Sequence, residues 1–101
     1  MTQTYFQVIA HYYVKPEETE TVAELLGQLA EASRQEKANL SYEFFRSVHD
    51  SAHFVILERY TDAGGFAKHR EYEHFKSIGV QRIIPRLVRR EIETYEGRAD
   101  A

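Results

Sequence analysis

Two histidines stand five apart in the run ERYTDAGGFAKHREYEHFK, residues 58–76, behind a strand-like segment that carries a lone carboxylate. His69 and His74 have side chains able to take or give a proton near neutral pH. Glu58 interrupts an otherwise apolar stretch, where an unpaired carboxylate is costly, so it must be paired or line a cavity. Arg46 is its nearest candidate partner across a predicted hairpin. A pairing of 48 with 54 would set Arg46 opposite Ile56 and Phe44 opposite Glu58, and a slip of one residue would change which faces meet. Tyr42, Tyr60, His11 and Tyr13 add hydroxyl or imidazole donors on the surrounding segments, as sheet tyrosines do whether they pack or bind.

Each of these residues has a structural reading beside the functional one. His69 shares a helix face with Phe66 and points at the sheet, either as a satisfied core histidine or as a pocket base. His74 lies about 140° around an ideal helix from His69, which does not match the i, i+4 spacing of a two-histidine metal site and suits capping or packing equally well. His49 and His53 fall at a predicted turn and read as exposed. The sequence carries no glycine-rich phosphate loop and no Ser-His-Asp pattern, and no metal site is expected.

The elements that must position these groups are legible from periodicity. TYFQVIAHYYV, residues 4–14, is β-branched and aromatic with no helical period, and sends Phe6, Val8, Ala10, Tyr12 and Val14 to one face and Tyr5, Gln7, Ile9, His11 and Tyr13 to the other. After Pro16 and the acids Glu17, Glu18 and Glu20, residues Val22, Leu25, Leu26 and Leu29 form a single apolar helix stripe. Residues 40–48 and 53–61 read as strands joined by His49-Asp50-Ser51-Ala52. Asp62 is a natural N-cap for a short helix weakened by Gly64 and Gly65. A further helical stretch runs to about Ile84, where Pro85 stops it, and 86–96 is a last strand.

The order β-α-β-β-α-β predicts an α+β, ferredoxin-like split β-α-β domain over residues 1–101, a four-stranded antiparallel sheet with helices on one face. Because the strands at 4–14 and 53–61 are apolar on both sides, the other face is expected to pair with a second copy in a homodimer. The 101 residues suffice for one core, and the absence of cysteine rules out a disulfide framework or a thiolate nucleophile. A net charge of −3 argues against nucleic acid as the main partner. Arg82, Arg86, Arg89 and Arg90, interleaved with Glu91 and Glu93, read as a salt-bridged surface, with an anionic ligand site as the alternative. MTQTYFQVIAHYYV lacks a basic n-region and a long apolar core, so a soluble, cytoplasmic chain away from membranes is expected.

Residues 38–78 resemble the antibiotic biosynthesis monooxygenase domain family, of the dimeric alpha-beta barrel superfamily, through Asn39-Leu40, Tyr42-Glu43, Arg46, Phe54-Val55, Glu58-Arg59-Tyr60, His69 and His74-Phe75. The resemblance implies a dimer with a pocket between helices and sheet in each subunit. It also implies an enzyme that oxidises a small phenolic or hydroquinone substrate to a quinone with O₂ and without a cofactor. His69, Tyr42 and Arg46 would then be the catalytic groups, with Glu58, Tyr60, His74, Phe66 and His11 binding substrate. Related alternatives are an isomerase of a small metabolite, phosphorylated or not, using the same pocket, and a non-catalytic small-ligand-binding dimer. Two departures matter: the place of the ligating histidine of haem-degrading members falls near Gly79, and the chain has no tryptophan, which together disfavour haem breakdown. Glu73 stands where many members have proline, leaving the direction of His74 open.

Overall fold

The computed structural model describes residues 2–100. Strands β1 (Thr2–Val14), β2 (Asn39–Arg46), β3 (His53–Tyr60) and β4 (Leu87–Asp100) form one antiparallel sheet in the order β2-β3-β1-β4. With helices α1 (Thr19–Ser33) and α2 (Ala63–His69) between them, this is the ferredoxin-like arrangement expected from the element order.

The core lies between the sheet and the helices. Val8, Ala10, Tyr12 and Val14 of β1 are buried beside Phe54, Ile56 and Tyr60 of β3, the period-2 face expected for each strand. Val22, Leu25, Leu26 and Leu29 of α1 are buried against them, each contributing roughly 2 kcal/mol through loss of apolar surface to water. Pro16 opens a 3₁₀ turn, Pro16–Glu18, ahead of α1 rather than sitting inside it. The opposite face of the sheet presents half-buried Ile9, His11, Tyr13, Val55 and Leu57.

The β2–β3 hairpin departs from the expected register. Arg46 pairs with Phe54, and Tyr42, not Phe44, stands opposite Glu58. The reason is local. Ser47 Oγ accepts from the backbone N–H groups of His49 and Asp50, and Asp50 Oδ1 accepts from Ala52, so the connection takes over Ser47 and Val48 and the strand ends at Arg46. Arg46 thus shares the sheet face of Glu58 but lies four positions along it, and its guanidinium pairs with Glu20 at 3.0 Å and covers the Phe54 ring. The expected Arg46–Glu58 pair does not form.

Asp62 caps α2 as expected, its Oδ1 accepting from Gly65 N at 2.9 Å. Gly65 is needed for close approach: a Cβ there would lie 2.8 Å from Ala38 Cβ and 3.1 Å from Tyr60 Cβ. The helix therefore seats directly on β3, which brings its last residue, His69, over the sheet. The following helical stretch, expected to be α-helical, is a π-helix at Phe75–Ile83, with Ile84 N–H closing a five-residue bond to the Gly79 carbonyl before Pro85 ends it. The wider period separates two sets of side chains. Gly79 and Ile83 are buried on the α1 side, while Phe75, Val80 and Ile84, spaced by five and four, turn to the interior cavity. No helix among the described residues is long and apolar enough to cross a membrane.

Candidate functional site

Between the helix-covered face of the sheet and the α2–π segment lies a cavity of about 140 Å³. Every strand contributes to its wall: Tyr12 from β1, Tyr42 from β2, Glu58 from β3 and Arg90 from β4, facing Phe66 and His69 of α2 and Phe75 of the π segment. It opens toward β4, whose helix-side residues Arg90 and Ile92 are left exposed because no helix reaches over them. A larger, shallower depression of about 500 Å³ near Thr4, Phe6, Asp62 and Gly97 has, among the described residues, no buried titratable side chain and is chemically poorer.

A chain of buried polar groups meets the cavity wall at His69 and Glu58 and continues behind it. Glu36, from the turn after α1, is 7% exposed, and its Oε2 lies 2.7 Å from His69 Nδ1 and 2.6 Å from His74 Nε2. A carboxylate only accepts, so both ring nitrogens donate to it, and the Nδ1–H bond leaves His69 Nε2 as the free, basic nitrogen. That nitrogen sits 3.7 Å from Glu58 Oε1, which in turn accepts from the Tyr60 hydroxyl at 2.6 Å. Phe75 packs edge-on against the His69 ring, with centroids 5.1 Å apart, and holds its orientation.

Burial sets the protonation states. It lowers the His69 pKa below the usual histidine range against the opposing pull of Glu36, so the ring is neutral at pH 7. Burial likewise pushes the Glu58 carboxyl up to about 7, the Tyr60 hydrogen bond opposing and the Glu36 charge adding to the effect. Tyr12 is raised to about 12 and Tyr42 well above its ordinary 10, both chiefly by burial, so these phenols keep their protons and act as donors. The site thus juxtaposes a neutral imidazole and a carboxyl group that holds its proton about half the time at neutral pH, an acid–base pair on one wall.

The residues expected to form the site divide into three groups. His69, Tyr42, Glu58 and Phe66 line the cavity. Tyr60 and His74 lie behind that wall, Tyr60 bonded to Glu58 and His74 to Glu36. Arg46 and His11 are elsewhere. Arg46 is held at the β2 end by Glu20 and the Thr19 carbonyl. His11 belongs to the opposite sheet face by strand alternation, where its Nδ1 meets His53 Nε2 at 2.9 Å and its ring stacks with Tyr13. Neither can touch a molecule in the cavity. Sequence reasoning missed Glu36 and Arg70. Arg90 was read mainly as part of a salt-bridged surface, with an anionic ligand site as the alternative; it shares the strand face of Val88 and Ile92 and stands on the cavity wall. Glu36 sits in the polar run SRQEKAN with no pattern to mark it, and only the need of a buried histidine for an acceptor pointed to such a group.

The i, i+5 spacing had set His69 and His74 apart, yet a turn between α2 and the π segment folds them onto one carboxylate. The Glu36, His69 and His74 donor atoms all lie within 4.8 Å of one another. Donors around a cation with bonds of about 2.1 Å stand about 3 Å or more apart. The 2.6 and 2.7 Å contacts are hydrogen-bond separations, so this set would have to spread to hold a divalent ion.

Residues 5–79 match the family profile described as antibiotic biosynthesis monooxygenase. The chain is 34% identical over 69 residues to YcnE of Bacillus subtilis (strain 168), a candidate monooxygenase, a match covering 68% of this chain and 73% of the relative. A candidate antibiotic biosynthesis monooxygenase from Nitrosomonas europaea shares the fold with a TM-score of 0.88 at 24% identity, over 92% of this chain and 89% of that one. A further solved structure, of an antibiotic biosynthesis monooxygenase, is 31% identical with a TM-score of 0.80, covering 95% and 97% of the two chains.

Proposed function

Because the chain belongs to the antibiotic biosynthesis monooxygenase family, we propose that it is a cofactor-independent monooxygenase converting a small phenol or hydroquinone to a quinone with O₂. The observation that carries this reading is the free Nε2 of His69 at the cavity wall, with Nδ1 tied to buried Glu36. The substrate ring lies among Phe66, Phe75 and Tyr42, and His69 Nε2 takes the phenolic proton. Glu36 stabilises the imidazolium so formed. The phenolate then reacts with O₂ at a ring carbon, forming a C–O bond and a peroxide anion that takes the proton back from the His69 imidazolium to give the hydroperoxide. His69 Nε2, neutral again, removes the ring hydrogen as a proton, which it later returns to Glu58 3.7 Å away; the O–O bond breaks and hydroxide departs with the electron pair. Glu58, in its protonated form, supplies the proton that makes this hydroxide water. One oxygen atom enters the quinone and the other leaves as water, so the substrate provides all four electrons. Tyr42 and Tyr12 are the hydroxyl donors within reach of the developing peroxide anion.

The test is to incubate the metal-free protein with a panel of phenols and hydroquinones, with and without air, following quinone absorbance and O₂ uptake. Expected is quinone formation above the protein-free blank with O₂ and one water formed per turnover. Equal turnover under nitrogen would overturn the monooxygenase and favour an isomerase that uses the same Glu58–His69 pair.

The same reading includes residues 1–101 as one cytoplasmic domain that pairs through its open sheet face. Ile9, Val55 and Leu57 there, flanked by Phe45 at 56% exposure, form apolar surface that no helix covers. Light scattering after gel filtration is expected to give twice the 11.8 kDa chain mass. Leu57→Glu, which puts a charge at the centre of that face, should shift the protein to monomer. A monomeric wild-type protein at micromolar concentration would refute the dimer.

A further inference from the structure

We propose that the cavity takes an aromatic molecule bearing an oxyanion, such as a carboxylate, which Arg90 and Arg70 hold at the mouth while the ring lies inside. This inference rests on the functional reading above for the fate of the ring, but not for the binding itself.

The charge pattern carries it. The chain is net negative, with 16 acidic and 13 basic side chains, and several of its arginines are neutralised by glutamate: Arg34 by Glu43, Arg46 by Glu20, Arg86 by Glu18 and Arg89 by Glu91. Among the described residues, neither Arg70 nor Arg90 has a carboxylate within ion-pair distance, and both are on the cavity wall. They approach from opposite sides. Arg90 stands across from Tyr12 in the β1–β4 ladder, on the sheet face that carries the cavity. Arg70 follows His69 at the end of α2 and lies over the Phe66 ring, 4.6 Å from its centroid. Two planar donor forks therefore flank an opening whose interior is apolar and aromatic.

The one carboxyl group on that wall, Glu58, does not supply the missing counter-charge. It lies deeper, 5% exposed and bonded to Tyr60. Burial also pushes its pKa up to about 7, which leaves it only partly ionised at neutral pH. The cavity, at about 140 Å³, holds a single ring with little room for a substituent, so a charged group on that ring must project into the mouth, where the guanidinium groups are. Charge-assisted bonds of this kind raise affinity by about tenfold or more each.

Binding is measured by calorimetry under nitrogen, which keeps it independent of turnover, using 2,5-dihydroxybenzoate, its methyl ester and hydroquinone monophosphate. The carboxylate is expected to bind at least about tenfold more tightly than the ester. Arg90→Gln should abolish most of that preference, and Arg70→Gln should reduce it. Arg82→Gln, which removes the same charge from an exposed position on the π segment, should leave it intact. The phosphate arm distinguishes the oxyanion: tighter binding of the monophosphate than of the benzoate would identify a phosphorylated ligand and still support the arginine pair. Equal affinity for acid and ester, a preference that survives Arg90→Gln, or no binding of any probe at millimolar concentration would each overturn the proposal. Arginine-dependent binding of the anion without O₂ uptake on admission of air would sustain it while removing the monooxygenase reading.

Discussion

Replacing His69 with alanine is expected to lower kcat for quinone formation by about 10²–10⁴-fold, the usual contribution of a positioned proton acceptor. The side chain is 1% exposed, so the substitution also removes packing against Phe66, Tyr60 and Phe75 and lowers stability. Lost activity alone would therefore not separate a missing base from a loosened core. Free imidazole does: in a folded His69→Ala protein it can enter the space vacated beside the cavity and restore turnover, with a rate that rises as imidazole loses its proton. A variant that keeps wild-type kcat, or one whose melting temperature is normal and whose loss imidazole does not reverse, would show that His69 is not the base. Glu36 is a positioning residue in this scheme, since it reaches the substrate only through His69. Glu36→Gln should leave ligand affinity near its starting value and lower kcat. It should also shift the acidic limb of the kcat–pH profile to lower pH, because an amide stabilises the imidazolium less than a carboxylate does.

The layers of this fold were legible because their signal is periodic. Alternation in residues 4–14 and 53–61 set Val8, Ala10 and Tyr12 on one face of their strand and Phe54 and Ile56 on one face of theirs, and these are the faces that the α1 stripe covers. Alternation also put His11 on the far face. Naming it a substrate contact contradicted that pattern, and the pattern prevailed. The hairpin register was less legible because it depends on which side chains compete for turn amides. Ser47 and Asp50 do so here, and the two-residue difference moved Arg46 away from Glu58.

The site was half visible for a related reason. Residues on regular elements, namely Tyr42, Glu58, Phe66 and His69, could be assigned a direction from phase alone. Glu36 lies in a turn between elements, where no period exists, and His74 follows a break after which the helix resumes with a wider repeat. An ideal helix placed the two histidines about 140° apart, whereas the turn at 70–72 brings both to one carboxylate oxygen. Chemistry that is assembled from loops is found by asking what each buried polar group requires, and Glu36 is what His69 requires.

The second large effect is on stability and its direction is set by Glu58. Its pKa rises from an ordinary 4.5 to about 7 on folding, first because burial disfavours the charged form. The folded state thus holds this proton more tightly than the unfolded chain. The associated stabilisation is complete below pH 4.5 and is lost as pH rises through 7, and two and a half units at about 1.4 kcal/mol each make it roughly 3–4 kcal/mol. His69 acts in the other direction: with its pKa lowered, its contribution is present above 6.5 and is lost as pH falls below that value. The two slopes overlap in the wild-type protein, but Glu58→Gln isolates one of them, since glutamine retains an acceptor for the Tyr60 hydroxyl and cannot ionise. Urea unfolding from pH 4.5 to 8.5 should show the variant gaining on wild type by roughly 3 kcal/mol across that range, most of it between pH 5 and 7.5. Parallel curves would mean that Glu58 is ionised throughout and cannot be the acid. If the gain appears, the same proton should govern catalysis: wild-type kcat should fall above about pH 7, and Glu58→Gln, which has no proton to give to the departing hydroxide, should be slow at every pH and lack that descending limb.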